Sequence, residues 1–186
     1  MRTVFYTAST LNGFLAGPDD DLQWLFDVEG EEGPDPLEFI ATARAGVCGS
    51  TTYEWVLHHE EMLEHPERWA PTMGTNPLFV FTHRDLPVPA GVDVRFLSGP
   101  VADHLSTLAE VVGDGILWVV GGGDLAGQFL DAGALDELQV SIAPATLAGG
   151  KPLLPRDVGP QRLHLVSAQR YGQFAHLTYA VRPGRV

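Results

Sequence analysis

The fold of this chain is decided by one stretch, Trp118-Val119-Val120-Gly121-Gly122-Gly123-Asp124-Leu125-Ala126-Gly127-Gln128-Phe129-Leu130. The apolar run 116–120 predicts a buried strand, and the three glycines that follow predict a turn. Leu125, Phe129 and Leu130 then fall at helical spacing. Glycines let a ligand approach the backbone, and the first helical turn leaves N–H groups unpaired. The stretch therefore predicts either a phosphate-binding turn or a tight turn without a ligand.

The composition is that of a globular protein. The chain has 186 residues, of which 45% are hydrophobic and 19% are charged. This length suits a single domain with a sizeable core, and no repeat, low-complexity tract or linker interrupts the sequence. We therefore expect residues 1–186 to form one domain.

The charge of the chain limits its partners. The formal net charge is -13, which argues against nucleic acid and against anionic membrane surfaces as partners, because both would repel the chain. Nine acids crowd one early segment that contains no Lys or Arg: Asp19, Asp20, Asp21, Asp27, Glu29, Glu31, Glu32, Asp35 and Glu38. This segment is either a solvated acidic rim or a site for a cationic group.

Cysteine content and the chain start bear on the compartment. Cys48 is the only cysteine, so an intramolecular disulfide is excluded, and its apolar surroundings predict a buried side chain. The chain passes from Met1 directly into strand-like sequence, without the pattern of a signal peptide, and no apolar run is long enough to span a bilayer. We expect a cytoplasmic protein.

Strands alternate with helices over the first two thirds of the chain. The predicted strands are 4–8, 45–48, 77–82, 92–97, 116–120, 135–143, 163–170 and 174–182, the last two forming a hairpin. Helices are predicted after Asp35, as N-cap before Pro36, after Gly49, after Ser98 as cap, and after Gly123. The pattern predicts an α/β fold with a mostly parallel twisted sheet and antiparallel C-terminal strands.

Three segments could bind phosphate or ribose at successive strand ends: 49–52, 82–84 and 121–124. In a parallel sheet these ends share the carboxyl edge, where ligands bind. The glycine turn comes too late and with the wrong spacing for a Rossmann site. Arg84 has the planar, fixed charge that suits a terminal phosphate, which favours NADPH over NADH. At the second segment, N-capping by Ser50 or Thr51 is an alternative explanation.

A histidine-rich run, 58–65, holds His58, His59 and His65 together with three glutamates. Helical spacing could bring some of these side chains to one metal. No apolar frame supports the run and Pro66 follows it, so we favour a solvated segment and assign no metal ligand.

The sequence resembles the dihydrofolate-reductase-like superfamily, and most closely the C-terminal reductase domain of the bifunctional riboflavin-biosynthesis enzyme and its stand-alone bacterial relatives. Five pieces in the same order carry the resemblance: residues 8–16 with Trp24, then 49–54, 79–84, 119–123 and 147–153. The resemblance implies a three-layer sandwich fold, NADPH as cofactor, and a homodimer formed through the C-terminal strands and the 149–153 loop.

The resemblance also implies the cofactor contacts. Those predicted to hold the pyrophosphate and other phosphates are Gly121, Gly122, Gly123, Asp124, Leu125, Gly49, Ser50, Thr51 and Thr52. Those predicted for the 2′-phosphate are Thr82, His83 and Arg84, and those framing the nicotinamide are Ala8, Leu15 and Ala16. The chain departs from the family pattern at Asn12, where Asp is usual, and at Ser50, where Arg is usual.

The resulting hypothesis is an NADPH-dependent reductase that acts on a small planar heterocycle, pterin- or pyrimidine-like. Asp35 and Glu38 are the predicted proton donors, with Asp20 and Asp21 on the loop edge as further carboxylates, although N-capping or solvation would also explain all four. Trp24, Tyr53 and Asn12 are predicted to contact the substrate. The alternatives are a catalytically inactive nucleotide-binding dimeric module of the same fold and a metal protein built on the histidine run.

Overall fold

A computed structural model describes residues 1–29 and 35–184. The strands are β1 Arg2–Thr10, β2 Phe14–Ala16, β3 Ala43–Gly49, β4 Leu78–Phe81, β5 Val94–Leu97, β6 Ile116–Gly121, β7 Glu137–Ala143, β8 Lys151–Pro152, β9 Leu163–Tyr171 and β10 Phe174–Val181. The α-helices are α1 Gln23–Phe26, α2 Pro36–Ile40, α3 Ser50–His59, α4 Trp69–Met73, α5 Leu105–Val112 and α6 Gly123–Asp131. Short 3-10 turns, Pro66–Arg68 and Val101–His104, lead into α4 and α5.

Eight strands form one sheet in the order β5-β4-β3-β6-β1-β7-β10-β9, and β2 pairs separately with β8. The first six strands in this order, β5-β4-β3-β6-β1-β7, run parallel to one another, whereas β10 is antiparallel to both of its neighbours, β7 and β9. The predicted fold class, a mostly parallel sheet that ends in antiparallel C-terminal strands, is therefore confirmed.

Helices cover both faces of the parallel part, which makes three layers. On one face, α5 and α6 pack Leu108 and Phe129 against Phe5 and Val119 of the sheet. On the other face, α3 and α4 bury residues such as Tyr53 and Trp69 against β3 and β4. Burial on both faces explains the continuous apolar run of β6, which parallel strands need because no side of them meets water.

Helix ends follow the sequence with one exception. The Asp35 side chain accepts a hydrogen bond from the Leu37 N–H at 2.8 Å, so the predicted N-cap of α2 is confirmed. The predicted cap at Ser98 is wrong: a 3-10 turn intervenes and α5 begins only at Leu105. The carbonyl of Ser98 instead contacts the imidazole Nε2 of His104 at 2.8 Å.

The remaining sequence expectations concern Cys48 and the membrane. Cys48 is buried and reduced, and burial raises the pKa of its thiol. Within 1–29 and 35–184, no helix has both the length and the apolar character that crossing a bilayer requires. The acidic residues Glu31 and Glu32 lie outside the described residues.

Candidate functional site

A cavity of about 380 Å³ lies at the carboxyl ends of β1 and β6. Segments far apart in sequence meet there because parallel strands present these ends at one edge of the sheet. Its lining comprises Thr7, Leu15, Ala16, Asp20, Leu22, Thr51, Thr52, Trp55, Val120, Gly121, Gly122, Gly123, Asp124, Lys151, Pro152 and Pro155. The cavity thus unites the first loop, the start of α3, the start of α6 and the β8 region.

Two helices begin at this cavity without a side-chain cap. Gly49 is the N-cap of α3 and Gly122 is the N-cap of α6, and neither helix receives a capping hydrogen bond from a side chain. The alternative that Ser50 or Thr51 caps α3 is therefore wrong. Unpaired N–H groups and the positive ends of two helix dipoles make this edge favourable for an anion.

The three consecutive glycines differ in how much space surrounds them. A Cβ on Gly123 would lie 2.3 Å from the carbonyl oxygen of Pro152, and one on Gly121 would lie 2.9 Å from the hydroxyl of Thr52. The protein's own packing therefore requires these two glycines. A Cβ on Gly122 would meet nothing within 4 Å, as would one on Gly49. Only these N-cap glycines leave open space over the helix starts.

The pairing of β2 with β8 closes one side of the cavity. Phe14 lies opposite Pro152 and Ala16 opposite Lys151. The Lys151 ammonium lies 3.6 Å from the carboxylate of Asp20, a residue with a left-handed φ of 59°. This ion pair places the one lysine of the cavity lining beside a carboxylate.

The sequence reasoning missed the site role of Lys151. In the sequence, Lys151 stands out only through the run Gly149-Gly150-Lys151, which lies in the 147–153 segment of the family resemblance. Gly150 sits where a Cβ would overlap the Ala16 carbonyl, so this glycine lets the β8 strand approach the first loop. The approach is what brings Lys151 to the cavity.

Part of the cavity lining is apolar. Leu22, Trp55 and Val120 lie there, with the hydroxyl-bearing Thr7 on β1. The indole of Trp55 stacks on the imidazole of His59, with ring centroids 4.3 Å apart, and His59 stacks in turn on Phe26 at 5.1 Å. An apolar wall with few polar groups is typical of a pocket for a planar ligand.

A second cavity of about 460 Å³ adjoins the first and shares three of its lining residues. Its lining is Asp20, Thr51, Glu54, Trp55, His58 and His59. A ligand that fills the first cavity therefore has room to extend along α3.

The structure divides the predicted cofactor residues into two groups. Those that line the first cavity are Leu15, Ala16, Thr51, Thr52, Gly121, Gly122, Gly123 and Asp124. Ala8 and Ser50 are next in sequence to lining residues, and Gly49 precedes Ser50, but all three lie outside the lining, and Leu125 is buried in the core. The contacts of all these residues with a cofactor stay predictions.

The segment Thr82–Arg84 also lies outside the cavity lining. The end of β4 is next to the start of α3, because Phe81 pairs with Gly49 in the parallel register. The guanidinium of Arg84 donates to both carboxylate oxygens of Glu54, at 2.9 Å and 2.5 Å. Arg84 is thus near the predicted phosphate edge but already holds an anion.

The predicted substrate residues lie elsewhere. Tyr53 is only 1% exposed, its hydroxyl donates to the Pro87 carbonyl at 2.7 Å, and burial raises its pKa to about 12, so the ring is part of the core. Trp24 is also buried and borders a separate cavity that includes Asp27. Asn12 uses its amide to hold the backbone of Leu147. None of the three lines the first cavity.

The predicted proton donors lie beside Tyr6 rather than in the cavity. Asp35 caps α2 and Glu38 lies in its first turn. Burial, and then the negative charge of Asp35, raises the pKa of Tyr6, whose ring stacks on Phe39 at 4.3 Å. The carboxylates that line the cavity are Asp20 and Asp124. The pKa of Asp124 is lowered by hydrogen bonds, first from Gln128 and then from Arg156.

The three histidines of the 58–65 run are engaged separately. His58 contacts the Glu54 carbonyl through Nδ1 at 2.7 Å, His59 lies in the aromatic stack, and His65 contacts Glu67 at 3.2 Å. Over the described ranges, no grouping of three His, Cys, Asp or Glu side chains could hold a metal ion.

Known proteins share this architecture. A Shewanella sp. PV-4 protein provisionally assigned to riboflavin biosynthesis is 22% identical, with a TM-score of 0.78, covering 98% of this chain and 100% of that one. Dihydrofolate reductase from Enterococcus faecalis, complexed with NADP(H), is 16% identical, with a TM-score of 0.61 and coverages of 98% and 97%. The predicted dihydrofolate-reductase-like fold is thereby confirmed.

Sequence comparison agrees. The uncharacterized protein YwjB of Bacillus subtilis strain 168 is 26% identical over 178 residues, which cover 96% of this chain and 97% of that protein. The family model described as the RibD C-terminal domain matches residues 3–177. The chain therefore belongs to the RibD C-terminal domain family.

Proposed function

We propose that the chain is a cytoplasmic NADPH-dependent reductase that transfers hydride to a C=N or C=O group of a small planar heterocycle, pterin- or pyrimidine-like. One observation carries the proposal. The first turn of α3, through Thr51 and Thr52, and the start of α6 at Gly122 meet apolar side chains in one cavity of about 380 Å³, and neither helix has a side-chain cap. A dinucleotide has the same division, with phosphates at one end and a planar ring at the other.

The residues present fit such a cofactor. The N-cap glycines leave open space where phosphate oxygens would approach the helix N–H groups. Thr51 and Thr52 add hydroxyl donors, and Lys151 adds a cation. The fold shared with an NADP(H)-complexed dihydrofolate reductase supports the same assignment.

When bound, the nicotinamide supplies the hydride. The chain supplies orientation and exclusion of water: the apolar side chains of the cavity lining, Leu15, Ala16, Leu22, Trp55 and Val120, would pack against a planar acceptor. The acceptor also needs one proton on the atom next to the carbon that is reduced. We propose that the Asp20–Lys151 ion pair supplies this proton from the ammonium, because both residues line the first cavity and Asp20 also lines the second, whereas Asp35 and Glu38 line neither.

Calorimetric titration with NADPH and NADH tests the cofactor assignment. We expect one NADPH per chain with a dissociation constant well below millimolar, and absence of binding at millimolar NADPH would overturn it. Thr51→Val should weaken NADPH binding by about 10- to 100-fold, because a hydrogen bond to a charged group contributes about 1.5–3 kcal/mol. Thr72→Val is the matched control, since the hydroxyl of Thr72 on α4 donates to the carbonyl of Arg68, directly before that helix, and Thr72 lines neither cavity.

Turnover separates the reductase from its main alternative. We expect NADPH oxidation with dihydrofolate or an aminopyrimidine ribotide as acceptor. Tight NADPH binding without oxidation across such acceptors would instead favour a catalytically inactive nucleotide-binding module.

We further infer a homodimer formed through the C-terminal strands. The edge strand β9 exposes the apolar side chains of Leu165 and Val166, at 48% and 59%. Sedimentation equilibrium should give twice the chain mass of 20.1 kDa. A monomer at high micromolar concentration would contradict the dimer.

A further inference from the structure

The guanidinium of Arg84 is held by a carboxylate from a neighbouring helix. Its two terminal nitrogens donate to the two oxygens of Glu54, one bond to each oxygen. The backbone N–H of Arg84 also donates to the hydroxyl of Thr82 at 3.0 Å, which fixes the turn after β4. The planar fork that suits a phosphate is therefore matched by a competing anion of the chain itself.

This ion pair stands beside the edge at which a phosphate would bind. The register of the sheet places the ion pair at this edge, because Phe81 at the end of β4 pairs with Gly49, the N-cap of α3. Glu54 lies one helical turn after Thr51, and both residues line the second cavity. Thr51 also lines the first cavity, so Glu54 is one turn from the proposed phosphate site.

The pair is exposed enough to exchange partners. The side chains of Arg84 and Glu54 are 54% and 31% exposed, and ion pairs at such positions are weak. A phosphate monoester carries more charge than a carboxylate near neutral pH and offers three acceptor oxygens. It can therefore displace Glu54, but the displacement reduces the net gain from binding it.

Other cations near the helix layer do not relieve this competition. Arg68, Arg95 and Arg156 are each paired with carboxylates of their own. Position 50, at the start of α3, is Ser50, which carries no charge. Discrimination between phosphorylated and unphosphorylated adenosine thus depends on how firmly Glu54 holds Arg84.

We propose that Glu54 is a specificity residue for the dinucleotide: by holding Arg84, it reduces the preference for NADPH over NADH. This inference rests on the proposed function. It assigns a positioning role to Glu54, which acts through Arg84 and contacts no reacting atom. The charge of Glu54 then sets the cofactor ratio, and its removal frees the guanidinium for a 2′-phosphate.

The test is the ratio of the NADPH and NADH dissociation constants, measured by calorimetry for the wild-type chain, Glu54→Gln, Arg84→Gln and the double variant. We expect Glu54→Gln to tighten NADPH by about three- to tenfold and to leave NADH within about twofold, where tenfold corresponds to about 1.4 kcal/mol. Arg84→Gln should weaken NADPH alone, and the double variant should lose the gain of Glu54→Gln.

Asp93→Asn is the matched control, because Asp93, directly before β5, and Arg95 on β5 form a comparable two-bond pair that borders neither cavity. It should leave both constants unchanged. The inference is overturned if Glu54→Gln tightens NADPH and NADH equally, which is a general charge effect, or if Arg84→Gln leaves NADPH unchanged. If the wild-type chain binds neither dinucleotide, the proposed function fails first. Melting temperatures of all variants exclude loss of fold as the cause.

Discussion

The side chain of Asn12 bonds to both backbone groups of Leu147. Its Nδ2 donates to the Leu147 carbonyl at 2.7 Å, and its Oδ1 accepts from the Leu147 N–H at 3.2 Å. Two loops 135 residues apart in sequence are thereby tied together beside the cavity. An aspartate, which is usual here in the family, could accept the second bond but could not donate the first.

Replacing this amide should therefore cost stability. We expect Asn12→Ala to lower the free energy of unfolding by about 1–2 kcal/mol, since it removes the two exposed hydrogen bonds to Leu147 and the one accepted from the Thr10 hydroxyl. Urea unfolding measures the change. Leu11→Ala is the control, because that neighbouring side chain is 68% exposed and its loss should change stability little. Equal effects of the two substitutions would show that the Asn12 bonds do not stabilise the loops.

Alanine substitutions at Gly123 and Gly49 should change stability by different amounts, because the space around these glycines differs. Gly123→Ala should lower stability by about 1–3 kcal/mol, because the new methyl would overlap the Pro152 carbonyl. Gly49→Ala should cost less than about 1 kcal/mol, since its methyl meets nothing within 4 Å, and it should instead weaken NADPH binding. Thermal unfolding and calorimetry on both variants check the contrast, and the reverse order of stabilities would refute it.

The imidazole of His176 should make stability depend on pH. It is 8% exposed, lies between the rings of Tyr6 and Tyr171, and contacts the Ser141 hydroxyl at 2.9 Å. Burial lowers its pKa, so between the folded value and the unfolded value of about 6.5 the unfolded chain binds more protons. Stability should therefore fall as pH drops below about 6.5 and level off below the folded pKa.

Urea unfolding from pH 8 to pH 5 measures this slope. His176→Gln should flatten it, whatever the change in stability at pH 8. His83→Gln, at an exposed position, should keep the slope. A slope that survives His176→Gln would assign the pH dependence to other groups.

The hydroxyl of Tyr53 should matter for stability and not for binding. Tyr53→Phe leaves the Pro87 carbonyl without its donor and should lower the unfolding free energy by about 1 kcal/mol, with NADPH affinity unchanged. Tyr171→Phe is the matched control, because its hydroxyl bonds to Gln169 at an exposed position, where water replaces the lost partner. Weaker NADPH binding by Tyr53→Phe would show that the Tyr53 hydroxyl contributes to the binding site.

Local patterns predicted the fold because its signals are contiguous. The apolar run, glycines and helical spacing of 116–130 correspond to β6 and α6, and Asp35-Pro36 marks the start of α2. The helix α4 was missed, since its five residues include a proline and show no apolar periodicity. The strands β2 and β8 could not be predicted, because segments this short form strands only through their pairing with each other.

The site was harder to predict where it depends on distant partners. Thr51, Thr52 and the glycine turn could be found, because strand ends and helix starts mark the sheet edge. The Glu54 partner of Arg84 could not, since the two are 30 residues apart and no pattern links them. Thr52 lines the cavity, whereas Tyr53, the next residue, points into the core. Which of the two faces the cavity depends on how α3 is rotated about its axis relative to the sheet.

The pairing of β2 with β8 has a consequence for synthesis. Phe14–Ala16 leaves the ribosome early, whereas Lys151–Pro152 emerges only after most of the central sheet has been made. A nascent chain that ends before residue 151 can carry both helix starts, yet it leaves the cavity open on one side. A bound dinucleotide could therefore stabilise the chain only late in synthesis. Until then, the stability of the growing chain depends on the packing of its apolar layers.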